Sequence, residues 1–526
     1  MIARAIVCLI SWLFLLHNAA GLNILAIVSL PLRSHYMAFK PLFRELATRG
    51  HNVTVINNYP DDEPLQNLTF INLESSSLGT IPLLHERENS DSTYWYLVNY
   101  FRHLYYSWQM NSKDCDNLFN SKITKTHQAE GVHYDVIFVE QFMSDCALAY
   151  AAAFYEAPII GITSHVMLPW AYARLGLSFD VSSDPFYFST KILNKSLYQK
   201  VEDCILHFVF TTVGRWFIQR RMYETFEPHV PRPVDIEEVA RDRMRMMFVY
   251  QHFSLTGARA MSPQVLEIGG IHIGESKPVP KDIEDFLSTA EQGAIYFSFG
   301  SNLQLSTMSP QKMQKFLEAF KSVPQKVLWK WENDTFPAGY EGKIYPRKWF
   351  PQLDVLCHPK VKAFISHGGM LSLSEAAHCG KPVLAVPFFG DQFSNAAVVV
   401  SSGLGNTLMF DRINETNLGD AIRELTSEKM QRSAQQISKM WHDRPQKVMD
   451  SAIYWIEYVT RYDTALPSLP AQQNTWFENL QLDVYAVLLL IVLMFLLIFY
   501  FIVKLFILIL IKLIRLVVGT KKVKTN

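Results

Sequence analysis

His367-Gly368-Gly369 stands directly after the apolar run Val361 to Ile365 and directly before a helix-forming segment that carries Glu375. Two adjacent glycines let a backbone approach a ligand closely, and the start of the following helix offers free N–H groups to an anion. A second run of buried type, Pro382 to Phe389, follows and ends on Asp391-Gln392. Apolar run, helix, apolar run is the βαβ pattern of a parallel sheet, whose ligands bind at the carboxyl ends of the strands. The chemistry implied is a site for a phosphorylated ligand of nucleotide type.

The elements that must position such a site recur along the chain. Asn23 to Leu30 reads as a strand that ends in a loop with Pro31, Ser34 and His35. Met37 to Arg49 has helical periodicity and stops at Gly50, and His51 to Ile56 alternates as a second strand. This doubly wound unit lacks the glycine fingerprint of dinucleotide binding, which disfavours an NAD-dependent dehydrogenase. Asp135 to Glu140 is a further strand, followed by a helix (Cys146 to Tyr155) and a strand (Pro158 to Thr163). In the second half, Ala294 to Phe299 and Lys326 to Lys330 read as strands, and the 349–392 stretch supplies two more. Each half therefore reads as its own parallel sheet, with Ser254 to Pro280 between them.

At 526 residues the chain exceeds a single core, and its 49 basic and 49 acidic side chains leave no net charge to support a nucleic-acid partner. Residues 1–21 have the layout of a signal peptide, with Arg4, an apolar run and a small-residue end. Val484 to Val503 is an uncharged apolar run long enough to span a bilayer, with a basic tail after it from Lys504. Leu505 to Val518, broken by Lys512 and Arg515, is expected to lie along the interface or extend a tilted span. The expected organisation is 1–21 signal peptide, 22–253 first domain, 254–280 linker, 281–465 second domain, 466–482 juxtamembrane segment, 483–503 membrane span and 504–526 cytosolic tail. Asn52, Asn67, Asn194, Asn333 and Asn414 head glycosylation sequons, and Asn52 reads as part of a buried strand. The six cysteines, Cys8 among them, show no metal spacing, and no disulfide framework is expected from them.

Residues 349 to 392 resemble the signature of the animal UDP-glycosyltransferases, with Trp349, Pro351-Gln352, His358-Pro359, His367-Gly368-Gly369, Glu375-Ala376, Pro382, Pro387 and Asp391-Gln392 in register. The resemblance extends to Ser298-Phe299-Gly300-Ser301, to Ile268-Gly269-Gly270, and to the two apolar ends. It implies an α/β GT-B fold, two Rossmann-like domains facing across a cleft, plus one C-terminal transmembrane helix. It also implies transfer of a hexosyl group, glucose or glucuronate, from a UDP-sugar to a hydroxyl of a small lipophilic acceptor. Inversion at the sugar, no metal and no further cofactor are expected, as in detoxification or the conjugation of endogenous hormones and pigments. The implied setting is the endoplasmic reticulum membrane, with lumenal catalytic domains, a cytosolic tail resembling a lysine-based retrieval signal, contact with membrane lipid, and homo- or hetero-oligomers.

On this resemblance Trp349 is the uracil platform, and Gln352 and Glu375 bind ribose hydroxyls. His367, Gly368, Gly369 and Ser301 face the diphosphate, and Asp391 and Gln392 hold the sugar. His35 is the general base, a histidine being neutral and able to take a proton near physiological pH. Its carboxylate partner is Glu140, the aligned position, or Asp145 a few residues on; Asp145 is favoured. Leu371 replaces a common asparagine on the phosphate loop, with Ser372 able to compensate, and Lys330 stands where arginine is frequent. The run after Tyr462 departs from the family pattern. Asp114-Cys115-Asp116 has the form of a metal-binding Asp-x-Asp but reads as a loop cluster. Some rings of the aromatic stretch Tyr94 to Met110 are expected in the acceptor pocket. The competing readings are a transferase with a dedicated glycolipid or protein acceptor and a catalytically silent UDP-sugar-binding partner.

Overall fold

The computed structural model describes residues 21–522 apart from 62, 74–82, 89–91, 182–183, 185–193, 302 and 464–465. The signal-peptide reading, Cys8 and the last four residues of the tail lie outside them. The body of the chain, 1–468, holds two parallel sheets. The first has seven strands: β1 Asn23–Val28, β2 Asn52–Asn57, β3 Leu68–Asn72, β4 Val136–Glu140, β5 Ile159–Thr163, β6 Met244–Val249 and β7 Val265–Glu267, in the order β3-β2-β1-β4-β5-β6-β7. The second has six: β8 Ala294–Ser298, β9 Lys326–Lys330, β10 Ile344–Arg347, β11 Val361–Ser366, β12 Val383–Ala385 and β13 Gly405–Thr407, in the order β10-β9-β8-β11-β12-β13. β4, β5 and β8 are buried along their whole length, as strands covered by helices on both faces must be.

In each sheet the strand order reverses once, between β1 and β4 and between β8 and β11. Chains leaving two such neighbours diverge to opposite faces and open a crevice at the carboxyl edge. Helices α1 (Arg33–Thr48), α2 (Ser92–Asn120) and α3 (Cys146–Phe154) cover the first sheet, and α4 (Met370–His378) and α5 (Gln392–Ser402) follow β11 and β12. Helix α6 (Val448–Tyr462) returns from the second half to pack beside β4. Arg49 pairs with Asp450 at 2.5 Å and Arg245 with Asp463 at 3.0 Å. Ile24, Ala26 and Val28 on one face of β1, Val361 and Phe364 of β11, and Ala452, Ile453 and Ile456 of α6 belong to one continuous apolar core.

Several expectations are corrected. Cys115 is bonded to Cys146 and Cys357 to Cys379, which among the described residues leaves Cys204, exposed, as the odd thiol. The pairing joins α2 to the start of α3, and the helix Gln352–Cys357 to the end of α4, contacts that sequence spacing does not reveal. Asp114-Cys115-Asp116 lies in α2 rather than in a loop. Asp114 is buried and accepts from Ser144 Oγ, whereas Asp116 is exposed and accepts from Asn120 at 2.6 Å. Residues two apart on a helix point to different sides, so the two carboxylates do not converge on one ion. Asn52 opens β2 and is exposed, as are the other four sequon asparagines.

Residues 469–526 form a separate unit. Its helix α7, Leu482–Lys522, runs on without a break at Val503, so Leu505 to Val518 continues the helix instead of forming a second element. The stretch long and apolar enough to cross a membrane, Leu482–Leu516, has 35 residues. At about 1.5 Å per residue that is roughly 52 Å, more than the ~30 Å hydrocarbon core of a bilayer.

Replacing Cys357 and Cys379 together by alanine is expected to destabilise the body by about 3 kcal/mol, read as a lower midpoint of thermal unfolding. An unchanged midpoint in the oxidised protein would contradict the pairing.

Candidate active site

A cleft of about 1130 Å³ is lined from both sheets. At the first switch point, His35 lies in the opening turn of α1 after β1, and Glu140 is the last residue of β4. His35 Nδ1 lies 2.5 Å from Glu140 Oε1, the carboxylate being 2% exposed and the imidazole 12%. The Phe142 ring packs edge-on against the imidazole at 4.5 Å, and His165 lies 5.8 Å away. The favoured partner of the sequence reading, Asp145, is not the one in contact. Arg174 grips it with two bonds of 3.0 Å, and Arg215 bonds it as well. Burial alone would raise the Asp145 pKa, but the two guanidiniums hold it below the ordinary carboxylate range. Glu140 reaches the histidine because it ends the strand beside β1, whereas Asp145 stands at the residue before α3 with its carboxylate turned to the two arginines.

At the second switch point, Ser298 ends β8 and Phe299-Gly300-Ser301 follows it, while His367-Gly368-Gly369 follows β11. Gly368 takes a left-handed φ of +87°, turning the chain so that α4 begins at the cleft. Gly369 has an ordinary φ of −64°, and its role is steric: a Cβ there would sit 2.6 Å from His367 Nε2. Gly300, with φ +76°, comes as close, and a Cβ there would sit 2.7 Å from His367 Cε1. The imidazole thus fills the space that a side chain at either glycine would need. Burial, with Lys330 next, pushes the His367 pKa down to about 4, so the ring stays neutral in the physiological range.

The remaining expected residues also line this cleft. Trp349 is 63% exposed, unusual for a tryptophan without a ligand face. Gln352 Nε2 donates to Glu375 Oε2 at 2.5 Å and to Ser372 Oγ at 3.0 Å, so Ser372 belongs to the Gln352–Glu375 group. Leu371 reaches the cleft wall, and Lys330 Nζ is held by Glu332 at 2.8 Å. Gln392 spends its Oε1 on the backbone N–H groups of Phe388 and Phe389 at 2.9 and 3.2 Å. Asp391 accepts from Asn395 at 2.7 Å, and the same amide donates to Gly368 O at 2.9 Å. Burial raises the Asp391 pKa to about 6, against the lowering effect of Asn395 and of His35 across the cleft.

Sequence reasoning missed Asn395, which ties the β12 loop to the glycine turn, and His272 and Tyr296, which line the cleft beside Glu375 and Gln352. The signal for His272 was at hand, two residues beyond Ile268-Gly269-Gly270. Of the aromatic stretch on α2, Tyr106 and Met110 line the cleft with Arg102 and His103, whereas Phe101 and Tyr105 face outward.

The profile of the family described as "UDP-glucoronosyl and UDP-glucosyl transferase" matches residues 26–519. The chain belongs to this family. It is 33% identical over 483 residues to UDP-glycosyltransferase UGT5 of Dactylopius coccus, covering 90% of each chain. It is 28% identical over 484 residues to UDP-glucuronosyltransferase 2B15 of Rattus norvegicus, covering 87% of this chain and 88% of that one. A solved UDP-glucosyltransferase from Polygonum tinctorium, capable of glucosylating indoxyl, superposes with TM-score 0.58 at 15% identity, covering 84% of this chain and 99% of its own. LpCGTa in complex with UDP gives TM-score 0.51 at 18% identity, covering 84% of this chain and all of its own. The fold is therefore GT-B, and the protein is a glycosyltransferase enzyme that takes its sugar from a UDP-sugar.

Two outcomes follow for this UDP-glycosyltransferase. Gly369→Ala is expected to displace the His367 ring at a cost of about 1–3 kcal/mol in UDP affinity, while Gly342→Ala, which meets nothing within 4 Å, leaves it unchanged; calorimetric titration with UDP checks both. The His367 ring is expected to titrate near pH 4 by NMR in the free enzyme, its resonance assigned with His367→Gln. Because the unfolded chain protonates this histidine near 6.5, its contribution to stability is present above that value and is lost as pH falls toward 4.

Proposed function

We propose that the enzyme transfers a hexosyl group, with inversion and without a metal, from a UDP-sugar to a hydroxyl of a small lipophilic acceptor. The observation that carries this reading is the pairing of His35 with Glu140 at one switch point of a cleft whose other switch point bears the His367-Gly368-Gly369 turn. Glu140 accepts the Nδ1 proton of His35, which leaves the Nε2 lone pair to take a proton from the acceptor hydroxyl. The acceptor oxygen attacks the anomeric carbon as the bond to UDP breaks on the opposite face, a single displacement that inverts the centre. The charge developing on UDP meets the first N–H groups of α4 and the neutral His367 ring. Trp349 stacks on uracil, Gln352 and Glu375 hold the ribose, Ser301 adds a donor to the diphosphate, and Asp391 and Gln392 accept and donate to sugar hydroxyls.

Apolar side chains on the first-domain side of the cleft, Leu32, Met37, Phe142 and Met143, suit a lipophilic acceptor. UDP-glucose is the first donor to test, because the Dactylopius relatives, one of them named UDP-glucosyltransferase 2, stand at 30–33% identity against 26–28% for the mammalian glucuronosyltransferases. The two disulfides suit an oxidising compartment, the exposed sequons suit the secretory pathway, and Leu482–Leu516 suits a membrane anchor, which together favour a lumenal, single-pass enzyme of the endoplasmic reticulum.

His35→Ala is expected to lower turnover of a generic phenol by about 10²–10⁴ with UDP affinity retained. Glu140→Gln should lower kcat by about 10³–10⁴ without loss of stability. Asp145→Asn should instead destabilise the fold by about 3–5 kcal/mol, because it leaves Arg174 and Arg215 uncompensated. Turnover on microsomes unchanged by His35→Ala would sink the assignment.

A further inference from the structure

Glu375, on the second turn of α4, meets donors from two directions. Gln352 of the same domain donates to Oε2 at 2.5 Å. Oε1 lies 3.4 Å from Nε2 of His272, which stands five residues beyond β7, at the exit of the first sheet. The other ring nitrogen, His272 Nδ1, is hydrogen-bonded to the hydroxyl of Tyr250. Tyr250 follows β6 directly and is fully buried.

This chain of contacts constrains the tautomer. Burial drives the Tyr250 pKa far up, so the phenol stays protonated and can donate to Nδ1. A histidine that accepts at Nδ1 carries its proton at Nε2. The opposite tautomer would place the Nε2 lone pair against a carboxylate oxygen. Both partners therefore select the Nε2–H form. At 3.4 Å the contact is long and short of hydrogen-bond alignment, as functional hydrogen bonds frequently are until they tighten on a bound substrate.

We propose that His272 is a positioning residue for the nucleotide: its Nε2–H holds the Glu375 carboxylate in the orientation that accepts from the ribose hydroxyls, and Tyr250 sets the tautomer that permits it. The proposal rests on the reading of Glu375 as the ribose carboxylate. It makes nucleotide recognition by the second domain depend on a residue delivered by the chain leaving the first.

The test compares UDP with 2′,3′-dideoxy-UDP by calorimetric titration of the full-length protein and its variants. A hydrogen bond to a charged group contributes about 1.5–3 kcal/mol, so His272→Ala should weaken UDP binding at least ~10-fold. The same variant should change dideoxy-UDP binding less than about two-fold, and His272→Gln, which keeps an N–H, should recover most of the loss. Tyr250→Phe should give a smaller loss confined to UDP, and it carries the comparison if His272→Ala does not fold. Equal weakening of both ligands by the His272 and Tyr250 variants, with Glu375→Ala still selective for UDP, would overturn the positioning role alone. If Glu375→Ala is itself unselective, the ribose reading fails, and the role of His272 falls with it.

Discussion

Everything in the cleft depends on one constraint of parallel sheets, that all strands end on the same edge. Loops from neighbouring strands part only where the strand order reverses, and each sheet here reverses once. The first reversal separates the chain after β1 from the chain after β4, which sets His35 beside Glu140. The second separates the chains after β8 and β11, which sets Gly300 beside His367. The His35–Glu140 pair and the His367–Gly369 turn are thus products of the same topology used twice, and α6 packs into an apolar core that draws on both halves.

Electrostatics then sorts carboxylates that look alike in sequence. Glu140 and Asp145 lie five positions apart and are both buried, yet one meets an imidazole and the other two guanidiniums. A buried charge needs a partner within reach, and the partner decides the role. Asp145 anchors the helix Pro169–Arg174 and the chain at Arg215 to the start of α3, which is structural work. The same principle operates in the second half, where Asn395 divides its amide between Asp391 and the Gly368 carbonyl and so holds the β12 loop in register with the glycine turn.

The glycines show how far local reading carries. Gly368 is needed for its left-handed backbone, a requirement that a glycine after a strand suggests by itself. Gly369 is needed because the His367 ring fills the space where a side chain would be. The disulfide between Cys357 and Cys379 has the same character: it joins the helix that starts at Gln352 to the helix that carries Glu375, so that the two side chains meet. An odd count of scattered cysteines conceals such a pairing, because the pairing is a fact of helix packing and not of spacing.

By itself the sequence determined the α/β class, the two parallel sheets, the long apolar helix near the end and the stretch from Trp349 to Gln392 that lines one side of the cleft. Those features are written in short-range patterns of periodicity, glycine placement and a contiguous motif, and local physics suffices to read them. Only the tertiary structure decided that Glu140 and not Asp145 meets His35, that four of the cysteines pair, that Asn52 is exposed, that Asn395 braces the glycine turn, and that His272 lines the cleft. Each of these is a contact between segments distant in the chain, often from different strands or domains, and no window of sequence contains both partners.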